Sequence, residues 1–245
     1  MTAPDGATAS AEPYTSPTAR DAGIFGGPLD AVRVAAYWHA MSSSYAPDAS
    51  RGLVRFSHHR QHAAALRLCD PWAGQRVLDA GAGSGLLTRL LVDLGCDVTA
   101  VDASPAMLAH LRKVTSKVVL SRLEDLALPG DFDAVLAIGV LNFVTTPRDT
   151  LRRLCRAVAP GGVLVLQVTE WSAFGLAYWL GYRARGFSPF LFSRRWLVDR
   201  AEEEGLVPAG SEHSLPHDLT IGFRRTPRGT VSTIQHSTFQ LDRSM

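Results

Sequence analysis

A doubly wound α/β fold on a mostly parallel sheet is what this sequence predicts, and three observations lead to it. From Arg76 onward, short runs of Val, Leu, Ile and Ala alternate with amphipathic helical patterns, the mark of βα units. Those runs are apolar along nearly their whole length, as in strands covered by helices on both faces. The 245 residues, 46% hydrophobic and 20% charged, suffice for one large core with a small cap or lid.

In chain order, residues 1–23 are dominated by Ala, Thr, Ser, Pro, Asp and Gly and lack the basic start and apolar stretch of a secretion signal, so they read as a disordered tail. Residues 24–70 form an N-terminal helical cap, with apolar stripes in PLDAVRVAAYWHAM (28–41) and HHRQHAAALRL (58–68). Residues 71–245 carry the sheet. Its strands are expected at RVLDA (76–80), DVTAVD (97–102), KVVLS (117–121), FDAVLAI (132–138) and GVLVLQV (162–168). Helices are expected at 86–95, 104–113, 147–158 and 193–205. Ser104 before Pro105, Thr146 before Pro147, and Ser193 are N-cap candidates, and Gly205 is a stop. Leu151, Leu154, Cys155 and Val158 give the third of these helices one buried face. Pro160, Gly161 and Gly162 turn the chain into the fifth strand. Alternating runs in DLTIGFRR (218–225) and TVSTIQHSTFQLD (230–242) suggest antiparallel strands completing the sheet.

Composition also excludes. A dispersed net charge of +2 is not the footprint of a nucleic-acid binder. Cys69, Cys96 and Cys155 form no C-x-x-C pair and read as reduced, buried thiols of a cytoplasmic protein. The longest apolar run, residues 173–182, is far short of the roughly 20 residues that span a bilayer, so stable membrane insertion is not expected.

The informative stretch is VLDAGAGSG, residues 77–85. In an open parallel sheet the loop after the first such strand walls the ligand crevice. Gly81, Gly83 and Gly85 allow a sharp turn and close backbone approach, and the helix opening near Leu86 directs its free N–H groups there. Asp102 closes the next strand, where a carboxylate can accept both hydroxyl hydrogens of a ribose. Loop and acid together imply a nucleoside-bearing ligand. A pyrophosphate fingerprint would need glycine at Leu86, and a P-loop would need a lysine that is absent.

An acid followed by G-x-G-x-G resembles motif I of class I S-adenosylmethionine (SAM) dependent methyltransferases, whose sheet is Rossmann-like and seven-stranded. VTAVD resembles their second motif. FDAVLAIGVLNFV and LRRLCRAVAPGGVLVL resemble their fourth- and fifth-strand segments, so the resemblance covers about residues 76–168. It implies that Gly81, Ala82, Gly83 and Gly85 line the methionine part of SAM. Asp102 with Ala103 would hold the ribose, and Met107 would lie against the adenine. Asp79 would organise the loop or meet the SAM amino group. Glu124 or Asp125 would reach the adenine amino group, with backbone at Leu123 or Leu126 as the alternative, because Arg122 stands where many relatives have aspartate. Ile138 and Gly139 would border the sulfonium and the acceptor. Tyr45 resembles the family's aromatic near the sulfonium, with Tyr37, Trp38 and His39 as alternatives.

The acceptor is less marked. The chain has no [DNS]-P-P-[YFW] tetrapeptide, no Pro-Cys nucleophile and no basic stripe, which sets nucleic acid aside. Aromatic residues crowd between Trp171 and Phe192 with interspersed arginines and no acid, a segment placed where family members insert a lid. It suggests a small, apolar or aromatic acceptor, methylated on O or N in secondary metabolism. A core-covering helical excursion and a membrane-surface or partner patch are the other readings. Acceptor-wall candidates are Trp38, Asn142, Trp171, Tyr178, Trp179, Tyr182 and Arg183. Candidate bases are Tyr45, His58, His62 and Glu170, then His59, Trp171, His213 and His217. His58 and His62 lie one helical turn apart but bring no carboxylate third ligand, so no metal is expected. A tetrapyrrole or quinone acceptor is the alternative, although Asn142 stands where such relatives often have histidine. A nicotinamide-dependent oxidoreductase and a non-catalytic SAM-binding protein are the rivals. A homodimer is left open.

Overall fold

The computed structural model describes residues 23–27, 29–41, 53–127 and 131–227. The elements are β1 (Ile24–Phe25), α1 (Ala31–Met41), α2 (Leu53–Cys69), β2 (Arg76–Ala80), α3 (Leu86–Asp93), β3 (Asp97–Asp102), α4 (Pro105–Leu111), β4 (Val118–Leu120) and β5 (Phe132–Ile138). A 3-10 turn (Leu141–Phe143) follows, then α5 (Pro147–Ala157), β6 (Val158–Thr169), α6 (Ala173–Arg183), β7 (Leu191–Phe192), α7 (Arg194–Glu203), β8 (Leu206–Glu212) and β9 (Asp218–Arg225).

The main sheet has seven strands in the order β4-β3-β2-β5-β6-β9-β8, and β9 alone runs against the others. From β2 the chain steps outward to β3 and β4, then crosses back to β5. That reversal opens a crevice above the carboxyl ends of β2 and β5. Helices cover both faces. Ala65 and Cys69 of α2 and Leu87 and Leu91 of α3 pack on one face against Val77, Leu136 and Val165. Leu151 and Leu154 of α5, with Trp196 and Leu197 of α7, pack on the other against Leu78, Val135 and Leu164. The two inner faces are apolar because each strand is sandwiched, which is why the sequence runs lack alternation.

Helix starts follow the expected chemistry at two of three places. Ser104 Oγ accepts from the Met107 N–H, and Ser193 Oγ accepts from the Trp196 N–H. Thr146 precedes Pro147 of α5 without a side-chain cap bond.

Four details differ from expectation. The Pro160-Gly161-Gly162 turn lies within β6, where the pairing with β5 jumps from Phe132↔Val158 to Ala134↔Val163 and Gly161 sits at φ 80°. The strand β8 falls in LVPAGSE, which has little apolar alternation; it is an edge strand with Pro208 at a register shift, so one side needs no pattern. The segment 230–242 lies outside the described residues. The small β1–β7 pair was not expected: Ile24 and Phe25 pair with Phe192 and Leu191 and tie the N-terminal side to the aromatic segment. Phe190 and Phe192 of that segment are fully buried in the main core rather than over the crevice. Among the described residues no helix is long and apolar enough to cross a membrane.

Candidate active site

A cavity of about 650 Å³ occupies the crevice. Its first wall is the glycine loop. Gly81, Gly83 and Gly85 all have positive φ, at 75°, 55° and 84°, the region that side chains resist. A Cβ on Gly81 would meet Val140 at 2.5 Å, whereas one on Gly83 would meet nothing within 4 Å. The first glycine is therefore needed for packing and the second for open space. Both Gly81 and Ala82 N–H groups donate to the Val101 carbonyl, which docks the loop on β3.

Two acids meet at this wall. The Asp79 carboxylate is buried and accepts from the Thr88 hydroxyl at 2.6 Å. Burial pushes its carboxyl up to about 6; the Thr88 bond opposes this and the neighbouring Asp102 charge adds to it. Asp102 takes the Gly83 N–H on Oδ2 (2.9 Å) and the Ser104 N–H on Oδ1 (2.8 Å). Its carboxyl is also raised by burial, with backbone N–H groups working the other way.

The second wall is helical and aromatic. Ala31, Val34, Ala35 and Trp38 of α1 face the cavity at i, i+3, i+4 and i+7 spacing. Phe56, His58, Gln61 and His62 of α2, and Tyr178 and Tyr182 of α6, complete it. The rings are linked: Trp38 to Phe143 (5.1 Å), Phe143 to Tyr182 (5.3 Å) and Tyr182 to Tyr178 (4.9 Å). Burial drives the His62 imidazole down to about 4 and lowers His58 as well.

The structure brings together on this cavity Trp38, His58, His62, Asp79, Gly81, Ala82, Gly83, Asp102, Ala103, Met107, Glu124, Ile138, Gly139, Asn142, Tyr178 and Tyr182. Others of the expected set stand off it. Gly85 caps α3 against Leu111. Asp125 is exposed, 3.8 Å from Arg122, and Leu126 packs against the core. Glu170 pairs with His213 at 2.9 Å. Trp171 meets Phe25 edge to face and Trp179 packs tilted against it, and Arg183 donates to Ser188 while lying over Trp179. Tyr45 lies outside the described residues.

Like Asp79 and Asp102, the cavity residues Glu124 and Asn142 are engaged by the protein. Glu124 accepts from the Thr145 N–H and from Arg122. Burial works against its ionisation, yet these bonds hold the carboxyl below its usual range. Asn142 donates to the Phe190 carbonyl (2.6 Å) and accepts from the Thr169 N–H (3.3 Å). The sequence reading overlooked Gln61, Phe143, Gln167, Thr169 and Asp218, all on the cavity, and Arg122, read only as standing in place of an aspartate, lines it too. Gln61 was findable, since it lies three positions after His58 on the same face of α2; Thr169 and Asp218 become neighbours only through the β6–β9 register.

Fold and site thus define a doubly wound α/β protein with a nucleoside-type crevice continued by an aromatic chamber. Comparison with known proteins sharpens this. A methyltransferase-domain family model matches residues 78–166. A ubiquinone biosynthesis O-methyltransferase of Dechloromonas aromatica is 38% identical over 191 residues, 67% of this chain and 80% of that protein. The protein of the same name from Xanthomonas campestris pv. campestris strain B100 is 39% identical over 123 residues, 46% of this chain and 51% of that protein, so the chain spans about half the length of that relative. Among solved structures, the 1,6-didemethyltoxoflavin-N1-methyltransferase of Burkholderia thailandensis, with S-adenosylhomocysteine bound, superposes with a TM-score of 0.57 at 21% identity, covering 84% of this chain and 97% of that one. The chain belongs to the class I SAM-dependent methyltransferase family.

Proposed function

We propose that this protein is a SAM-dependent O-methyltransferase acting on a small, flat aromatic molecule that carries an ionisable hydroxyl. One observation carries the reading: a single cavity runs from the glycine loop and Asp102 to the Trp38–Phe143–Tyr182 wall. The donor set fits the cofactor. Asp102 offers a half-buried carboxylate for a ribose, Gly83 leaves room for close approach, and buried Met107 presents a soft apolar face to an adenine. Asp79 stands where an ammonium would be attracted. When bound, SAM supplies a methyl group on a positively charged sulfur. The protein's part is alignment, with the ring wall excluding water and holding the acceptor in line.

The relatives' names support a quinone-type ring, and the chamber's flat aromatic lining suits one; a secondary metabolite of similar shape remains within the class. In this reading residues 24–70 act as a cap, the α6 part of 171–192 acts as a lid, and three buried free cysteines suit a reducing, cytoplasmic setting. Calorimetry with S-adenosylhomocysteine tests it. Wild type binds, Asp102→Ala loses at least about tenfold in affinity, roughly the 1.4 kcal/mol of one good charge-assisted bond, and Arg183→Ala binds as wild type. Equal losses in the two variants would remove the ribose assignment, and binding of NADH instead would remove the reading.

A further inference from the structure

We infer that His217 is the general base that takes the proton from the acceptor hydroxyl, and that Asp218 is the positioning residue that holds its imidazole in the required tautomer. The inference rests on the methyl-transfer reading above.

Both residues line the acceptor end of the cavity. His217 Nε2 lies 3.3 Å from Asp218 Oδ1. The Asp218 carboxylate is almost fully buried, and its second oxygen is taken by Gln61 Nε2 at 2.7 Å and Ser214 Oγ at 3.5 Å. With one oxygen so fixed, the other is directed to the histidine. A neutral ring that donates Nε2–H to Asp218 leaves Nδ1 as a proton acceptor. The Tyr178 ring stacks on the imidazole at 4.9 Å and 19°, which holds its plane.

The sheet register sets the reach. Gly139 donates to the Gln167 carbonyl on β6, and Gln167 and Thr169 stand opposite Thr220 and Asp218 on β9. His217 is therefore two strands from Gly139, about 10 Å at the usual strand spacing. A hydroxyl about 3 Å from the methyl carbon and about 3 Å from Nδ1 spans most of that gap. The rival bases are less suited. His62 is driven toward weak basicity by burial and by His58 and His59, and Glu170 is paired with His213 away from the cavity lining.

In the step, the hydroxyl proton moves to Nδ1 and an oxygen lone pair forms the new C–O bond. The C–S bond breaks with its electron pair staying on sulfur, which becomes a neutral thioether. The imidazolium then returns its proton to water. The groups around the ring that bear on its titration are Asp218 beside it, Tyr178 on α6, His58 and His62 on α2 in the same cavity, and the Glu170–His213 pair at the end of β6.

The test uses the whole chain saturated with S-adenosylhomocysteine, and 4-nitrocatechol as probe. Wild type should bind the probe as its phenolate, seen in the visible spectrum at pH values where the free probe is protonated. His217→Gln should bind it in the protonated form. Turnover of the probe with SAM should fall by roughly 100-fold or more in His217→Gln at low pH, and the deficit should shrink as rising pH ionises the probe without help. Nitrogen-15 NMR should find the Nε2–H tautomer at His217 in wild type and a mixture in Asp218→Asn. An Nδ1–H tautomer in wild type, equal phenolate signals in wild type and variant, a pH-independent deficit, or no binding of the probe to wild type would each overturn the proposal. Failure of wild type to bind S-adenosylhomocysteine by calorimetry would instead overturn the methyl-transfer reading itself.

Discussion

Asp79 is a carboxylate placed where burial opposes its charge, and its cost to the folded chain has a definite pH dependence. Burial raises its carboxyl to about 6 in the folded chain from an ordinary value of 3.8. A raised acid binds its proton more tightly when folded, so its stabilising contribution is full below about 3.8 and is lost as pH rises through about 6. Above that, the buried charge costs on the order of 3 kcal/mol. Asp79→Asn removes the charge and keeps an oxygen for the Thr88 hydroxyl. In urea unfolding, the variant should gain on wild type by roughly 2–3 kcal/mol between pH 4 and pH 7.5. A gap that does not change with pH would mean that Asp79 is not the titrating group. The two leading glycines separate in a similar way. Gly81→Ala drives a methyl into Val140 from a left-handed backbone and should cost roughly 2–4 kcal/mol of stability. Gly83→Ala, facing open space, should cost about 1 kcal/mol and chiefly weaken S-adenosylhomocysteine binding in calorimetry. Equal stability losses would show that Val140 yields.

Among the elements, those whose pattern arises from their own neighbours along the chain were legible, and those defined by pairing partners were not. β2, β3 and β5 fall where the apolar runs put them because each is buried on both faces. β8 escaped because an edge strand with a proline and a glycine answers to only one neighbour, and β1 and β7 because two-residue strands carry no period. The aromatic segment shows the same limit. Spacing put Tyr178 and Tyr182 on one face of α6, but nothing in the local sequence sends Phe190 and Phe192 into the core. What sends them there is Asn142, whose side chain bridges the Phe190 carbonyl and the Thr169 N–H while its own carbonyl takes the Phe190 N–H. The 3-10 turn, β6 and the approach to β7 are thereby tied at one buried point. Asn142→Ala would leave a buried carbonyl and a buried N–H without these partners and should cost about 2–4 kcal/mol. Hydrogen exchange should rise at Phe190 and Thr169 before it rises in β2. Uniform loss of protection would argue that the tie is not local.

At the scale of the whole molecule, the two halves of the site have different origins, which explains why one was readable as a unit and the other only in part, through Trp38, Asn142, Tyr178 and Tyr182. The glycine loop and Asp102 come from a single β2–α3–β3 unit, so their spacing along the chain is their spacing in space. The aromatic wall proposed to hold the acceptor is assembled from α1, α2, the 3-10 turn, α6 and the β8–β9 connection, which only the closed fold unites. Trp38 and Phe143 are more than a hundred residues apart in sequence and 5.1 Å apart as rings. This division predicts separable functions. Tyr182 lies in ring contact with Tyr37, Phe143 and Tyr178 and reaches no part of the glycine loop's hydrogen bonding. Each such ring pair contributes roughly 0.5–1.5 kcal/mol, so Tyr182→Ala loosens the chamber on three sides. The KM for an aromatic acceptor such as 4-nitrocatechol should rise about tenfold or more, an effect of at least ~1.4 kcal/mol. Affinity for S-adenosylhomocysteine should stay within about twofold, well inside the scatter expected of a distant substitution. A comparable loss of both would mean that the chamber and the nucleoside crevice respond as one unit, with α1 and α6 closing over both ligands together.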